Sequence, residues 1–289
     1  MSDAAAQFDA VKFKESTREQ WQTAAEAWHR WGPVLNDWLG SATELMLEMA
    51  LIKEGDRVLD VAAGTGQQSL AAARRVGPKG SVLATDISGN ILEFAAATAQ
   101  EAGISNLETR VMDGESISDL PENFYNAVIS RVGLIYFPDK QKALTGKLRT
   151  LKPGGKISAI TYSTPENNKF FSIPVTIIRR RAKLPPPLPG QPGPFSLGSP
   201  GVIEQEFEKA GFKNIEVQVQ PAPLRLSSAA ECVRFEKESF GALHQMLANL
   251  SQEECRETWQ EIEEALKQFE NSSGHFIGPC ELVIASGEK

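Results

Sequence analysis

Two turn glycines and the acids that follow them are the residues of this chain best suited to chemistry. Gly64 and Gly66 come directly after the apolar run Arg57–Val61, and Asp86 follows at the end of the next apolar run. A glycine turn lets the backbone approach a ligand closely, and a carboxylate accepts hydrogen bonds from sugar hydroxyls. The helix-like segment 67–75 then leaves the turn, and its free N–H groups favour an anionic ligand. The pattern predicts a nucleoside pocket.

Two classes of nucleoside cofactor use such a turn, and this chain departs from the pattern of one of them. A dinucleotide site has the pattern Gly-x-Gly-x-x-Gly, with an acid about twenty residues further on. Ser69 stands where the third glycine would be. Asp86 does not separate the classes, because any ribose diol bound at this position offers the same hydroxyls to a carboxylate.

Further strands must position these residues. The apolar runs predict a third strand that begins at Asn106 and ends in a second acid, a fourth over Phe124–Ser130 and a fifth over Lys156–Thr161, opened by the turn Leu151–Gly155. A sixth is predicted at Lys213–Val219 and the last at Glu281–Gly287, with helices between them. An open α/β sheet binds its ligand at the carboxyl ends of its strands.

The motifs at these strand ends follow a recognisable order. They are Asp-Val-Ala-Ala-Gly-Thr-Gly, Thr-Asp-Ile-Ser, Met-Asp-Gly-Glu, Asn-Ala-Val-Ile-Ser and Leu-Lys-Pro-Gly-Gly. Over Leu51–Tyr162 the chain resembles the class I S-adenosylmethionine-dependent methyltransferases, most closely the branch of the ubiquinone/menaquinone biosynthesis C-methyltransferases. The resemblance implies a Rossmann-like α/β fold: a seven-stranded, mostly parallel sheet with helices on both faces and helical cap insertions.

The resemblance also assigns cofactor contacts. Ala62, Gly64 and Gly66 would line the methionine part of S-adenosylmethionine. Asp86 would hold the ribose hydroxyls, and Asp113 would accept a hydrogen bond from the adenine amino group. The implied cofactor-binding set is Asp60, Ala62, Gly64, Gly66, Asp86, Ile87, Asp113, Gly114, Glu115 and Arg131.

The family has glycine most often at the position of Ala62, so the backbone there must tolerate a methyl group. Asp60 could instead cap the turn that follows it, and Asp113 could lie in an exposed turn.

Catalytic residues are harder to choose from sequence. An oxygen or carbon acceptor needs a base, usually His or Tyr. The candidates are His29, Tyr136, Tyr162 and His275. Arg131 directly follows the fourth strand, where it would either position the substrate or brace the loop. A lone histidine such as His29 is more often a hydrogen-bonded structural residue than a base. No cluster of His, Cys and carboxylates has metal-ligand spacing, so the predicted chemistry is metal-independent.

Composition excludes some partners. A net charge of −7 argues against nucleic acid, which demands a basic face. The three cysteines are widely spaced, which suits reduced thiols in the cytoplasm. The N-terminus lacks a signal pattern, and no run of about 18 apolar residues indicates a membrane span. We therefore expect a cytoplasmic protein with a small-molecule partner, as a monomer or a homodimer.

The chain is expected to form one domain in three parts, with the acceptor pocket made by segments outside the core. Residues 1–50 would form a helical arm or lid, 51–163 the cofactor-binding core, and 164–289 the rest of the sheet with a helical cap. The arm holds Trp21 and Trp28, one heptad apart and so on one helix face. Their role is either docking onto the core or lining an aromatic pocket. The Pro/Gly tract Leu184–Phe195 is read as a lid or pocket wall rather than a spacer recognised by another protein.

The function predicted is in-line methyl transfer from S-adenosylmethionine to an O, N or C nucleophile of a small hydrophobic or aromatic molecule. Two alternatives remain at this point. One is a nicotinamide-dependent oxidoreductase on a similar sheet, which Ser69 disfavours. The other is a non-catalytic protein that binds an adenosyl cofactor and acts as a scaffold.

Overall fold

The computed structural model describes residues 8–188 and 191–289, and its centre is one seven-stranded sheet. The strand order is β3-β2-β1-β4-β5-β9-β6. The strands of this sheet are β1 (Arg57–Val61), β2 (Ser81–Asp86), β3 (Leu107–Val111), β4 (Tyr125–Arg131), β5 (Leu151–Tyr162), β6 (Lys213–Pro221) and β9 (Glu281–Glu288). A separate two-stranded sheet joins β7 (Leu224–Leu226) to β8 (Phe276–Gly278).

The sheet is parallel except for β9, which runs antiparallel to both β5 and β6. The strand order reverses between β1 and β4, which pair in parallel through Val58–Asp60. In α/β sheets this reversal opens a crevice at the carboxyl ends of the two strands. The predicted fold class is therefore confirmed. A ligand site is expected at the carboxyl ends of β1, β2 and β4.

Ten α-helices surround the sheet in the described part of the chain. They are α1 (Ala10–Arg30), α2 (Gly32–Met49), α3 (Gln67–Val76), α4 (Gly89–Glu101), α5 (Lys140–Thr150), α6 (Lys169–Arg181), α7 (Val202–Ala210), α8 (Ala229–Ser239), α9 (Gly241–Leu247) and α10 (Gln252–Leu266). A 3₁₀ turn, Leu134–Tyr136, follows β4. None of these helices is long and apolar enough to cross a membrane.

The predicted arm consists of two helices with different environments. Helix α1 ends before Trp31, and Pro33 lies in the first turn of α2. A proline is tolerated there because the first N–H groups of a helix have no partner within the helix. Helix α2 is part of the core, since Leu35 and Met46 are fully buried. Helix α1 instead packs on α4, α8 and α9. The division of the chain into arm, core and remainder stays a prediction.

One local prediction is wrong. The segment Leu151–Gly155 was expected to be a turn that opens the fifth strand, but β5 begins at Leu151 and contains it. Leu151 pairs with Tyr125, and pairing resumes at Lys156 opposite Ala127 after a shift of register. The Pro-Gly-Gly residues are therefore a bulge within the strand, which an unpaired proline and a positive-φ glycine favour.

Candidate active site

A cavity opens at the carboxyl ends of β1, β2 and β4, with an empty volume of about 860 Å³. Its lining comes from α1, from the loops after the three strands and from the 3₁₀ turn. The residues are Lys14, Thr17, Trp21, Trp28, Ala62, Ala63, Gly64, Thr65, Gln68, Asp86, Ile87, Ile91, Met112, Asp113, Gly114, Arg131, Gly133, Tyr136, Phe137 and Pro138.

Asp86 is tied to the glycine turn. Its Oδ2 accepts a hydrogen bond from the Gly64 N–H at 3.0 Å, and its Oδ1 accepts one from the Ser88 N–H at 3.0 Å. Burial raises the pKa of Asp86, and these backbone bonds oppose that rise. Each carboxylate oxygen has a second lone-pair direction, so the group can still accept bonds from a ligand.

Ala62 occupies a conformation that glycine adopts more easily. Its φ is +62°, in the left-handed region, and Val132 at the end of β4 has φ +58°. A Cβ on Gly133 would lie 2.5 Å from the Ala62 Cβ, so the absence of a side chain at Gly133 makes room for the alanine methyl. Two such residues beside one cavity are a form of strain that concentrates at functional sites. The methyl group at the family's glycine position is thus accommodated by a glycine elsewhere.

Asp60 lies behind the cavity wall. It is fully buried, and its Oδ2 accepts a hydrogen bond of 2.5 Å from the Ser69 hydroxyl. Its Oδ1 has no partner within the described residues. Burial raises the pKa of Asp60 to about 7, although the Ser69 bond and the charge of Arg131 lower it. Ser69, the residue that breaks the dinucleotide pattern, is therefore committed to Asp60.

Arg131 lines the cavity and also braces two helices. Its Nη1 donates to the Thr43 hydroxyl at 3.2 Å, and its Nη2 donates to Gln67 Oε1 at 2.9 Å. Burial lowers the pKa of Arg131 to about 10, with Asp60 opposing the shift. The guanidinium keeps its charge at neutral pH, so it can pair with an anionic group at this end of the cavity.

Gln68 lines the cavity at the same end. Its side chain is buried, and its Nε2 donates to the Ala63 carbonyl at 2.9 Å. The same side chain also hydrogen-bonds with the Asp60 carboxyl group and lowers its pKa. Gln68 therefore connects the loop after β1 with Asp60 behind the cavity wall.

At the other end of the cavity, Lys14 of α1 joins two acids of the loop after β3. Its Nζ lies 2.8 Å from Asp113 Oδ2 and 2.5 Å from Glu115 Oε2. Burial alone raises the pKa of Asp113, but hydrogen bonds from Lys14 and the Glu115 N–H lower it overall. The other oxygen of Glu115 accepts from the Asp139 N–H. This contact ties helix α1 to the loop.

The wall opposite the strand ends is aromatic. The ring of Trp21 lies 5.2 Å from Trp28 and 5.6 Å from Tyr136, both edge to face. Burial raises the pKa of Tyr136 to about 12, so its phenol is neutral at pH 7. The predicted shared face of the two tryptophans is confirmed, and both of their expected roles occur: they line the cavity, and Trp28 Nε1 donates to the Ser239 carbonyl.

His29 does not face the cavity. It is exposed and stacks on Phe94 with ring centroids 4.7 Å apart. Successive helix residues point about 100° apart, so the helix that turns Trp28 inward turns His29 outward. His275 is likewise exposed. The structure does not support either histidine as the base.

The Pro/Gly tract contacts the aromatic side of the cavity. The Gly193 N–H donates to the Ile135 carbonyl at 3.0 Å, next to Tyr136. The Phe195 ring packs on Tyr162 and Phe171. In the described residues the tract is thus a wall beside the 3₁₀ turn. The predicted lid residues Pro189 and Gly190 lie outside the described ranges.

Most of the predicted site residues are brought together. Those that line the cavity are Ala62, Gly64, Asp86, Ile87, Asp113, Gly114, Arg131 and Tyr136. Asp60, Gly66 and Glu115 lie beside the cavity without lining it, and His29 lies away. Sequence reasoning missed Lys14, Gln68 and Phe137. Gln68 could have been found, because it stands in the first turn of the helix that leaves the glycine loop.

A buried lysine supports the loop after β3. Lys147 of α5 is fully buried, and its Nζ donates to the Gly114 carbonyl at 3.3 Å and to the Ala143 carbonyl at 3.2 Å. It also lies 4.6 Å from the centre of the Phe137 ring. Burial lowers the pKa of Lys147 to about 7, while Glu115 and Asp113 oppose the shift.

We expect Lys147→Met to change the pH dependence of stability. The unfolded chain keeps the lysine proton up to about pH 10.4, whereas the folded chain releases it near pH 7. The unfolded state therefore binds more protons between these values, and the free energy of unfolding should rise with pH there, by up to about 1.4 kcal/mol per unit. Lys147→Met should remove this rise and stabilise the protein at pH 6.

Urea unfolding of both proteins at pH 6 and pH 9 measures the difference. The matched control is Lys142→Met, an exposed lysine on the same helix. Parallel pH profiles for the wild type and Lys147→Met would show that Lys147 does not titrate in this range.

Comparison with known proteins agrees with this geometry. Residues 42–175 match the model of the ubiE/COQ5 methyltransferase family. The ubiquinone/menaquinone biosynthesis C-methyltransferase UbiE of Pseudomonas fluorescens (strain SBW25) is 34% identical over 122 residues, 42% of this chain and 47% of the relative. UbiE of Edwardsiella ictaluri (strain 93-146) is 33% identical over 115 residues, 40% and 46% of the two chains. The chain spans about half the length of the curated relatives it matches.

Solved structures share the fold over most of the chain. Phosphoethanolamine N-methyltransferase 2 of Haemonchus contortus, in complex with S-adenosyl-L-methionine, has a TM-score of 0.59 at 19% identity, over 100% of this chain and 61% of its own. The [4+2]-cyclase SpnF has a TM-score of 0.56 at 19% identity, over 93% and 97%. These similarities concern the fold alone.

The sheet order and the cavity at its switch point are those of the class I S-adenosylmethionine-dependent methyltransferase fold. Over residues 42–175 the chain is similar to the ubiE/COQ5 methyltransferase family.

Proposed function

We propose that this protein transfers a methyl group from S-adenosylmethionine to a small apolar or aromatic molecule. The observation that carries the proposal is the cavity itself, which joins a polar, nucleoside-like half to an aromatic half. The polar half has Asp86 and Asp113 at neighbouring strand ends. The aromatic half has Trp21, Trp28 and Tyr136.

We assign the polar half of the cavity to the cofactor. Asp86 would accept from the ribose hydroxyls with the lone pairs that Gly64 and Ser88 leave free. Asp113 would accept from the adenine amino group beside its bond to Lys14. The remaining residues, Gly114 and Ile87, line the cavity next to these acids.

We assign the methionine part of the cofactor to the end of the cavity at Arg131. The charged Arg131 would pair with the methionine carboxylate. Ala62 and Gly64 would form the backbone surface beside it, and this turn lets a ligand approach because Gly64 carries no side chain.

Methyl transfer requires the acceptor nucleophile, the methyl carbon and the sulfur to lie in line. When bound, the cofactor supplies a methyl group already activated by a sulfonium. The residues of this chain must then hold the acceptor in line and keep water out, and orientation of this kind can supply roughly 7–11 kcal/mol. Trp21 and Tyr136 are placed to do so on the wall opposite Arg131. Tyr136, with its raised pKa, would donate a hydrogen bond to the acceptor and would not remove its proton.

The three free cysteines also suit a reducing compartment, so we place the protein in the cytoplasm.

The oxidoreductase alternative is not favoured, because the third glycine position is Ser69, bonded to Asp60. The fold alone does not establish methyl transfer, because a [4+2]-cyclase shares it.

Transfer of a labelled methyl group is the direct test. The purified protein is incubated with S-adenosylmethionine labelled on its methyl group and a metabolite extract, and the products are separated by mass spectrometry. Label in a small molecule supports the proposal. Cofactor binding by calorimetry without any labelled product would indicate the scaffold alternative, and absence of both would refute the proposed function.

We expect Asp86→Ala to weaken S-adenosylmethionine binding by about 1.5–3 kcal/mol, the usual size of hydrogen bonds to a charged group. The loss has two sources, since the carboxylate also holds the Gly64 N–H. Titration calorimetry of the wild type, Asp86→Ala and Asp86→Asn measures it. Asp86→Asn keeps an acceptor for Gly64 and should bind more tightly than Asp86→Ala. Equal dissociation constants for all three would remove Asp86 from the ribose site.

A further inference from the structure

The side chain of Gln67 joins two elements that are far apart in sequence. Its Nε2 donates to the Gly32 carbonyl at 2.8 Å, and its Oε1 accepts from Arg131 Nη2 at 2.9 Å. Gly32 is the first residue of α2, directly after the junction with α1, whereas Arg131 is the last residue of β4. Gln67 is itself the first residue of α3 and lies outside the cavity lining. Its amide therefore connects the N-terminal helices to a guanidinium that lines the cavity.

The two partners determine which way the amide of Gln67 faces. A backbone carbonyl can only accept a hydrogen bond, so the Gly32 carbonyl requires the amide nitrogen. A guanidinium can only donate, so Arg131 requires the amide oxygen. Turning the amide over would break both bonds at once. The orientation of Gln67 is therefore set by the position of Gly32, and loss of that contact would leave the amide free to turn away from Arg131.

Two hydrogen bonds fix the plane of the Arg131 guanidinium. Nη2 donates to Gln67, and Nη1 donates to the Thr43 hydroxyl at 3.2 Å. That hydroxyl gives its own proton to the Leu39 carbonyl at 2.8 Å, so it serves Arg131 as an acceptor. A guanidinium carries five N–H groups in one rigid plane. The two fixed bonds therefore set the directions of the other three before any ligand binds.

The junction of α1 and α2 is anchored beside Gln67 by contacts of its own. Trp31, between the two helices, donates from its Nε1 to Glu238 of α8 at 2.7 Å. A Cβ on Gly32 would lie 3.4 Å from Gln67 Nε2. An alanine methyl would thus touch the amide, and a larger side chain would compete with it for space. Glycine at this position lets the anchored backbone present its carbonyl to Gln67 at hydrogen-bond distance.

We propose that Gln67 is a positioning residue for the cofactor, which holds Arg131 in the orientation that pairs with the methionine carboxylate and takes its own orientation from Gly32. The inference rests on the proposed function, which assigns that carboxylate to Arg131. It adds that preference for a ligand with a carboxylate depends on the docking of α2 outside the cavity. Gln67 acts through Arg131, so its effect is confined to ligands that carry the carboxylate.

Two ligands that differ by one carboxylate test the role of Gln67. S-adenosylhomocysteine and its decarboxylated analogue are titrated by calorimetry into the full chain. In the wild type we expect S-adenosylhomocysteine to bind about 10–150-fold more tightly, the range that hydrogen bonds to a charged group supply. Gln67→Met keeps the length of the side chain without its polar atoms. It should reduce this ratio by about 2–13-fold, the effect of one ordinary hydrogen bond, and leave the affinity of the analogue within about twofold.

The matched control is Gln252→Met, at the exposed first residue of α10, which should leave both affinities unchanged. An unchanged ratio in Gln67→Met would overturn the assignment, and so would equal affinities of the two ligands for the wild type. An equal loss for both ligands in Gln67→Met would also overturn it, because a merely structural role does not depend on the carboxylate.

A second pair of variants tests the contact with Gly32. Gly32→Val places its methyl groups against Gln67 Nε2, whereas Gly40→Val, on the same helix, meets open space. Gly32→Val should lower the ratio at least about twofold, and Gly40→Val should leave it unchanged. A wild-type ratio in Gly32→Val would refute the dependence on α2. If the ratios respond as expected but no labelled methyl group is transferred, the role of Gln67 stands and the proposed function fails.

Discussion

Gly66→Val is expected to reduce S-adenosylmethionine affinity at least hundredfold. Gly66 has φ +80°, and a Cβ there would lie 2.7 Å from the Cβ of Ala95 and 3.3 Å from its Cα. Ala95 is fully buried in α4, so the turn would have to move. That movement would displace Gly64 and the start of α3, which form one end of the proposed cofactor site.

The reason differs from the one expected from sequence. The resemblance placed Gly66 along the methionine part of the cofactor, so a side chain at Gly66 was expected to fill ligand space. In the structure such a side chain would instead collide with helix α4. Gly55→Val is a matched control, because Gly55 has φ +85° and open space around its Cβ position. It carries the same backbone strain without the collision and should bind the cofactor within about threefold of the wild type.

Calorimetry with S-adenosylmethionine compares the two variants, and circular dichroism establishes that each is folded. Normal affinity in Gly66→Val would mean that the turn relaxes without disturbing the site. An equal loss in both variants would assign the effect to backbone strain instead of contact with Ala95.

Trp21→Ala is expected to lower kcat at least hundredfold while changing cofactor affinity by less than about threefold. Trp21 contacts Trp28 and Tyr136 edge to face and lines the cavity with them. Without it the acceptor loses its wall, and a displacement of about 1 Å from the in-line geometry can cost roughly 100-fold. The proposed cofactor contacts are made by other residues.

The control is Trp21→Phe, which keeps an aromatic ring at the wall and should retain more activity than Trp21→Ala. The acceptor identified by the labelling experiment serves as substrate, and S-adenosylhomocysteine titration reports the cofactor site. Turnover within threefold of the wild type in Trp21→Ala would show that α1 packs on the core without positioning the acceptor.

The strand, turn and acid that line one half of the cavity were largely predictable from sequence, because they depend on neighbouring residues. The apolar run Arg57–Val61 forms β1 as predicted, and the glycines after it adopt positive φ. The fourth strand, predicted at Phe124–Ser130, is shifted by one residue to Tyr125–Arg131. A strand, its turn and the acid at its end lie within a few residues of one another, so local rules of burial and backbone conformation suffice.

The architecture of the sheet also followed from sequence, but through resemblance. Periodicity alone indicated where strands lie and did not indicate which pair with which. The ordered motifs from Leu51 to Tyr162 implied a seven-stranded, mostly parallel sheet, and the structure supplied the strand order. The β7–β8 pair lies outside those motifs, and the bulge in β5 lies within one of them. Both features depend on pairing with residues that are distant in sequence.

Only the tertiary structure decided which side chains from distant segments reach the site. Lys14 and Lys147 each look like a solvated lysine on a polar helix, yet one bridges Asp113 and Glu115 and the other is buried beneath the same loop. His29 follows Trp28 directly and faces away, because the docking of α1 selects one helix face. Sequence by itself determined the local strand-turn-helix unit that would hold the cofactor. The aromatic wall of the cavity was decided by the long-range packing of α1 on α4, α8 and α9, which no local pattern encodes.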